Sequence, residues 1–186
     1  VADSIVDNLS GIKKDSVARN SRRSKEWLKN KINGGKVDKS LIKSKPLLGR
    51  MYHFVYSPKL KTVLPYYDRN PLVIVIDRTG SGFQGLNLHY LQPKVRLLLL
   101  NKLMAFATNK KMDETTRLRV TYSLLKGVAK YKEFQPTIKN YLYSHMKTKF
   151  ALIPASDWEN AVFLPTARFV GSSNNKVYQL SRRMYS

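Results

Sequence analysis

The sequence predicts an α+β fold: a small antiparallel β-sheet or partial barrel at about residues 51–91, covered by three or so helices at about 93–150, with a basic N-terminal helical arm. Three observations lead there. The β signal is concentrated in one stretch, Met51–Leu91; segments with helical apolar spacing follow it; and a block of Lys and Arg precedes it. The expected division is an arm and linker at 1–46, a globular α+β domain at 47–170 and a basic C-terminal tail at 171–186.

Within Met51–Leu91, MYHFVY (51–56) and PLVIVID (71–77) are short runs of β-branched and aromatic residues bounded by Pro, Asn and Asp, as strands are. GFQGLNLHYL (82–91) alternates, with Leu86, Leu88 and Tyr90 on one face. SPKLKT (57–62) is a polar turn leading to a short segment at 63–67. DRTGSG (77–82) is a second turn, in which Gly80 and Gly82 are able to take positive φ. Three or four strands in a meander need a cover on one face, and the downstream helices supply it.

Gly80-Ser81-Gly82-Phe83-Gln84-Gly85 matches G-x-G-x-x-G after an apolar strand. A dinucleotide site needs a helix directly after the glycines, with its N-terminus facing the pyrophosphate. Here Leu86–Leu91 alternates like a strand and runs to Pro93, and the next acid is Asp113, too far on to hold a ribose. The match reads as a hairpin, and no cofactor is expected.

Helices begin at Pro93, a favoured first helical residue. Val95–Ala107 is apolar nearly all round, so it belongs in the core. Asp113 is a good N-cap for a helix over 114–131, with Leu118, Tyr122, Leu125 and Val128 on one face. A third helix is expected over 138–150 after Pro136, with Ile138, Tyr141, Leu142, His145 or Met146, and Phe150 facing inward and Lys139, Lys147 and Lys149 outward. Ser156 with Glu159 three residues on has the form of a capping box, and Ala161–Pro165 returns to an apolar strand or turn.

Charge excludes more than any motif. The 186 residues carry 34 Lys and Arg against 12 Asp and Glu, a net charge of +22. Such an excess repels itself in a compact fold and points to a polyanionic partner: nucleic acid first, an anionic membrane surface or an acidic protein after it. No apolar run reaches the roughly 20 residues of a bilayer span, and no signal-peptide pattern is seen; of the polyanions, nucleic acid is taken as the partner and a membrane is not. The absence of cysteine rules out disulfides, thiolate zinc sites and a cysteine nucleophile.

From Gly11 to Arg50 thirteen Lys and Arg face three acids. Residues 16–32 suit a helix with sparse apolar positions, among them Trp27, which would either stack on a partner or anchor the arm. Gly34-Gly35 breaks it, and 36–46 is a charged linker. Terminal basic blocks of this kind commonly lie on phosphates. The candidate nucleic-acid contacts are therefore Lys13, Lys14, Arg19, Arg22, Arg23, Lys25, Lys29 and Lys31 in the arm, Lys59, Lys61 and Arg69 among the aromatics of 52–69, and Arg182 and Arg183 near the C-terminus. Tyr52, Phe54, Tyr56, Tyr66 and Tyr67 would form a stacking platform if exposed; by strand alternation some of them must instead point into the core.

No catalytic or metal-binding constellation is evident. Metal-dependent nucleases gather two or three carboxylates on a cation. Asp77, at a strand end, is the best single candidate, yet no second acid falls on a neighbouring strand. As plain structural residues, Asp77 forms a turn, Asp113 caps a helix, and Asp157 and Glu159 favour a helix N-terminus. His53, His89 and His145 lack metal-ligand spacing, although His53 and His89 would suit a packed or hydrogen-bonded cross-strand pair. The chain reads as a non-enzyme.

Several blocks are similar to a known family. They are Gly49-Arg50-Met51-Tyr52-x-Phe54-x-Tyr56-x-Pro58-Lys59, then Leu64-Pro65-Tyr66-Tyr67-Asp68-Arg69-x-Pro71-Leu72-Val73, then Gly82-Phe83-x-Gly85 through Leu91, and Trp158-Glu159-x-Ala161-x-Phe163-Leu164-Pro165-x-x-Arg168-Phe169. Over roughly 47–169 the chain resembles the DNA end protector family of T-even-like myophages. The resemblance implies a virion protein that binds double-stranded ends of packaged genomic DNA near the portal and neck, is made in the host cytoplasm during assembly, and shields the injected end from host exonuclease. No residue roles come with it. The alternatives are a structural component of neck, tail or baseplate whose charge meets an acidic protein neighbour, and, more remotely, a packaging nuclease acting through Asp77.

Overall fold

The computed structural model describes residues 22–24, 26, 38–107, 109–128, 132–163 and 166–184. Six antiparallel strands form the main sheet: β1 (Ile42–Lys43), β2 (Met51–His53), β4 (Leu72–Thr79), β5 (Gly82–Asn87), β6 (Ile138–Leu142) and β7 (Phe150–Ile153), in the order β1-β7-β2-β4-β5-β6. A separate two-stranded ribbon pairs β3 (Tyr67–Asp68) with β8 (Phe169–Val170). The helices are α1 (Pro93–Ala107), α2 (Glu114–Val128), α3 (Trp158–Val162) and α4 (Asn174–Arg183). The predicted α+β class stands, as an open curled sheet with helical cover.

β4 explains itself. Its run Leu72–Ile76 is buried at every position because both faces of the sheet are covered. Leu72, Ile74 and Ile76 join Met51 and Leu86 in a core beneath Leu99, Leu100 and Leu103 of α1 and Leu125 of α2. Val73 and Val75 point the other way, into a second core of rings from Tyr52, Phe54, Phe83, Tyr141 and Phe150. A bulge between Val75 and Asp77 breaks the β4–β5 register and adds local bend.

The sheet must curl to enclose those rings. β6 and β7 are separated by three strands, about 19 Å in a flat sheet at roughly 4.8 Å per step. Yet only three residues lie between Leu142 at the end of β6 and Met146, which bridges Tyr56 in line with β7. All three form a 3-10 turn, Tyr143–His145, where the rise is only about 2 Å per residue. Phe54 and Tyr141 accordingly meet at 5.3 Å and Tyr56 and Tyr141 at 5.0 Å, each edge to face. The Leu142 amide closes the seam by donating to the Tyr56 hydroxyl at 3.2 Å.

Several expectations are corrected here. The third helix expected over 138–150 is instead β6, the 3-10 turn and β7, so the sheet has six strands rather than three or four. Tyr141 and Phe150 do point inward, but through ring packing across a sheet and not along a helix face. The strand expected over 82–91 stops at Asn87, whose side chain accepts from the His89 amide at 3.0 Å and turns Leu88–Tyr90 into 3-10 helix. Ser156 lies inside a 3-10 turn at Ala155–Asp157 instead of capping a helix, and Ala161–Val162 is helical. The C-terminal residues read as a tail form α4, capped by Ser173, with Val177 and Ser181 buried. Pro93 and Asp113 behave as expected; the Asp113 carboxylate accepts from the Thr116 amide at 2.9 Å.

In the β4–β5 turn neither Gly80 nor Gly82 has positive φ, and only Gly82 is needed for space. The positive-φ glycines among the described residues are Gly49 and Gly171. A Cβ on Gly82 would lie 1.8 Å from the Tyr141 carbonyl oxygen, whereas one on Gly80 meets nothing within 4 Å. Gly82→Ala is therefore expected to cost at least about 2 kcal/mol in urea denaturation, while Gly80→Ala stays within about 0.5 kcal/mol of the parent. Equal effects would show that the β5–β6 contact is looser than described.

Candidate nucleic-acid interface

After β2 the chain runs through Val55–Ser57 along the 146–147 segment, with the Lys147 amide donating to the Val55 carbonyl at 2.9 Å and the Ser57 amide to the His145 carbonyl at 3.2 Å. It then enters a turn stapled by amide donation from Val63 and Leu64 to the Leu60 carbonyl, both at 2.9 Å. Lys59 and Lys61 are exposed on this turn, as are Leu60, Val63 and Leu64. Arg69 is exposed just beyond β3, where its amide donates to the Arg168 carbonyl at 2.9 Å.

Two concavities flank the Tyr56–Met146 bridge. One, of about 250 Å³, is walled by Tyr66, Tyr67, Tyr90, Lys139 and Asn140, floored by Asp68 and Asn87, and edged by Pro58, Leu64 and Pro65 of the turn. The other is an open groove of about 550 Å³ lined by Lys45, Tyr143, Met146, Lys147, Thr148 and Lys149. The lysines at 45, 147 and 149 are exposed, so this groove presents three cations where a phosphate backbone can lie. Lys147 and Lys149 do not lie on the outer face of a helix. On a connection between strands they instead converge with Lys45 of the chain following β1.

The floor of the smaller cavity is a buried polar network. The Asp68 carboxylate accepts from Asn87 Nδ2 at 2.9 Å, from His89 Nδ1 at 2.7 Å and from the Asn70 amide at 3.0 Å. Asp68 accepts only, so the His89 proton resides on Nδ1, and Nε2 accepts from the Thr166 hydroxyl at 3.1 Å. Burial alone would raise the Asp68 pKa, but these donors outweigh it and hold the carboxyl below its usual range. Burial pushes His89 down, only partly offset by Asp68, and the ring stays neutral. The order Asp68–His89–Thr166 is that of a catalytic triad. Here, however, both ring and carboxylate are sealed from solvent, and the cavity is lined by Asp68 and Asn87 without His89 or Thr166. The network orients β3 against the strand-to-turn junction at Asn87.

Of the five rings that would form a stacking platform if exposed, three point into the core, as strand alternation requires of some of them. Tyr52, Phe54 and Tyr56 are interior, because β2 faces the aromatic core; Tyr66 and Tyr67, on the ribbon side, are half-buried at the cavity. Arg22 and Arg23 are exposed. Arg182 and Arg183 are exposed in the last turn of α4, on a different element from the cavity. Lys13, Lys14, Arg19, Lys25, Lys29, Lys31 and Trp27 lie outside the described residues. Asp77 accepts from Lys126 Nζ at 2.6 Å and from the Arg78 amide at 2.9 Å. Lys139 was assigned to a solvated face, and nothing in its spacing signalled otherwise. Its burial follows from the β5–β6 pairing, which sets it opposite Gly85.

His53 adds a pH dependence to this region. Its Nε2 is buried without a partner, and burial, with a smaller push from nearby His89, lowers its pKa from 6.5 to about 4 despite the attraction of Asp68. Above about pH 6.5 both states are neutral there and stability is full. Below it the unfolded chain binds a proton that the folded chain refuses, so stability falls until about pH 4, by at most about 3 kcal/mol for this residue. His89 contributes in the same direction, and Asp68 extends the loss to lower pH as it is finally protonated. Urea midpoints from pH 7 to 4 should fall steadily, and less so in His53→Gln. A flat profile would contradict the burial of these rings.

The comparisons bear on the chain as a whole. No curated protein and no solved structure matches it. A family model described as the phage T4 terminal DNA protecting protein matches residues 3–185, which takes in the N-terminal block, the curled sheet, both concavities and α4. By that match the chain belongs to the phage T4 terminal DNA protecting protein family.

Proposed function

We propose that this protein covers the ends of packaged phage genomic DNA as a non-enzymatic virion component and keeps host exonuclease from them. The observation that carries this reading is the family match over 3–185. A net charge of +22 supports it, since binding must neutralise phosphates at close range. The phosphate contacts we assign are the arm from Lys13 to Lys31, the turn with Lys59 and Lys61, Arg69, Arg182 and Arg183, joined by the groove lysines 45, 147 and 149. A site near the portal or neck, with other virion proteins as neighbours, follows from the need to hold the DNA terminus after packaging. Asp77 has no catalytic part in this reading, being occupied by Lys126.

The test compares a linear duplex with a closed circle of the same sequence across a salt series. Tighter binding to the linear form is expected. If six to ten phosphates are contacted, affinity falls by about 10³–10⁵ between 50 and 200 mM salt. Replacing Arg19, Arg22 and Arg23 with Gln should weaken binding, and the Lys45, Lys147 and Lys149 triple Gln variant should reduce the log–log salt slope by about 3. Equal binding to both forms reduces the function to general DNA contact. No binding near physiological salt points to the structural virion role, in which the charge meets an acidic protein.

A DNA–protein mixture challenged with a processive exonuclease gives an independent readout. Protection is expected without added divalent metal in the binding step, and unchanged in Asp77→Ala. Metal-dependent cleavage abolished by that substitution would instead establish the nuclease reading.

A further inference from the structure

An end differs from the interior of a duplex in two physical respects. Its last base pair exposes a flat apolar face, and its terminal nucleotide can leave the stack. The cavity between Tyr66, Tyr90 and Lys139 is built for the second. At about 250 Å³ it falls just under the range of about 300–1,000 Å³ that holds drug-sized ligands, and suits a single ring system. Tyr66 and Tyr90 lie 6.2 Å apart, tilted by 35°, with Phe169 edge-on to both. Asn140 accepts from Gln84 at 3.3 Å and keeps its amide hydrogens to donate to a ligand.

Lys139 is the group that calls for an anion. It is half-buried on β6, with its ammonium 4.2 Å from the centre of the Tyr90 ring. Among the described residues the carboxylate ion pairs are those of Arg50, His89 and Lys126, and none involves Lys139. A desolvated ammonium held only by a ring face gains from a phosphate more than a solvated surface lysine does. Burial without a counterion also pushes its pKa down.

The turn at the cavity mouth suits the other feature of an end. Leu60 and Val63, 57% and 76% exposed, stand between and beside Lys59 and Lys61 on a segment internally hydrogen-bonded to the Leu60 carbonyl. That is an apolar tip for the face of the last base pair, with cations set for its flanking phosphates.

We propose that the Tyr66–Tyr90–Lys139 cavity receives the last nucleotide of a DNA strand when it is unpaired, with the base on the half-buried Tyr66 ring and the phosphate at Lys139. The proposal rests on the end-binding function above and adds to it a preference for ends that offer a free nucleotide. Base stacking on aromatic side chains is sequence-tolerant, so the preference is for an unpaired base and not for a particular one.

The experiment uses three duplexes of one sequence: a closed circle, a hairpin-closed duplex with one flush end, and the same hairpin with a single unpaired 5′-phosphorylated 2-aminopurine nucleotide. The wild-type protein should bind the unpaired end about tenfold or more tighter than the flush end and change the fluorescence of its base. Lys139→Met and Tyr66→Ala should bind both ends with the flush-end affinity and leave the fluorescence unchanged. Lys139→Met removes a desolvated charge and keeps the side-chain volume, so its urea midpoint should match or exceed the parent's, and it carries the test if Tyr66→Ala folds poorly. Equal wild-type binding to flush and unpaired ends, with both preferred over the circle, would overturn the cavity assignment and leave end binding standing. Equal binding to all three would overturn both.

Discussion

The arrangement of the aromatic cavity depends on one buried carboxylate. Asp68 is almost wholly removed from water, and it is tolerated because its closest donors, at 2.7, 2.9 and 3.0 Å, face it from three sides. Those donors come from the loop after β3, from the end of β5 and from the 3-10 turn that follows. A single charge thus ties the two-stranded ribbon to the main sheet. It works with the Tyr66–Tyr90 and Tyr90–Phe169 ring contacts and the Tyr56 amide's bond to the Arg69 carbonyl at 2.9 Å to place Tyr66 and Tyr67 beside Tyr90 and Lys139. Breaking a paired buried charge is strongly destabilising because the partners are left desolvated, so the network is a constraint on geometry more than a net source of stability.

Arg96 plays the complementary part on the helical side. The residue is 4% exposed, and its guanidinium has no carboxylate partner among the described residues. It donates to the carbonyls of Leu91, Val162 and His89 at 2.8, 3.1 and 3.3 Å, and to the Tyr178 hydroxyl at 2.8 Å. Burial lowers its pKa, but arginine remains charged throughout the accessible range. The fork thereby joins the 3-10 turn, the end of α3 and α4 at one point. It shares His89 with the Asp68 network, so the two buried charges sit on either side of one residue: the carboxylate reads its ring and the guanidinium its backbone. α4 and its exposed Arg182 and Arg183 are held against the domain through Tyr178.

The interior that supports a net charge of +22 is correspondingly dense. Both faces of the sheet are buried, one under helices and one by the curl that brings its own rings together. Charge repulsion acts over the surface, whereas the apolar terms act locally in two cores that share β4 as a common wall. This division leaves the turn at 58–64 and the groove at 45 and 147–149 free to carry lysine, since neither contributes a side chain to the helical core.

Composition and local pattern alone determined the class of the fold, the hairpin at Gly80–Gly85, the central strand at 72–77, the starts of α1 and α2, and the basic character that implies a polyanion. These are short-range or whole-chain properties: strand propensity, proline and aspartate at helix starts, a sum of charges. Residues 138–150 were illegible because Ile138, Tyr141, Leu142 and Phe150 fit a helical period as well as they fit strands, and pairing with β5 and β2 decided between the two. The roles of Tyr52, Phe54 and Tyr56 turned on which face of β2 met the curl. Lys139, the Asp68–His89 network and the Lys45–Lys147–Lys149 groove join residues 20 to 100 positions apart, and no local spacing encodes such meetings. Tertiary structure chose them: the β5–β6 pairing sets Lys139 beside the 3-10 turn, and the curl of the sheet brings the 143–149 connection alongside the chain after β2.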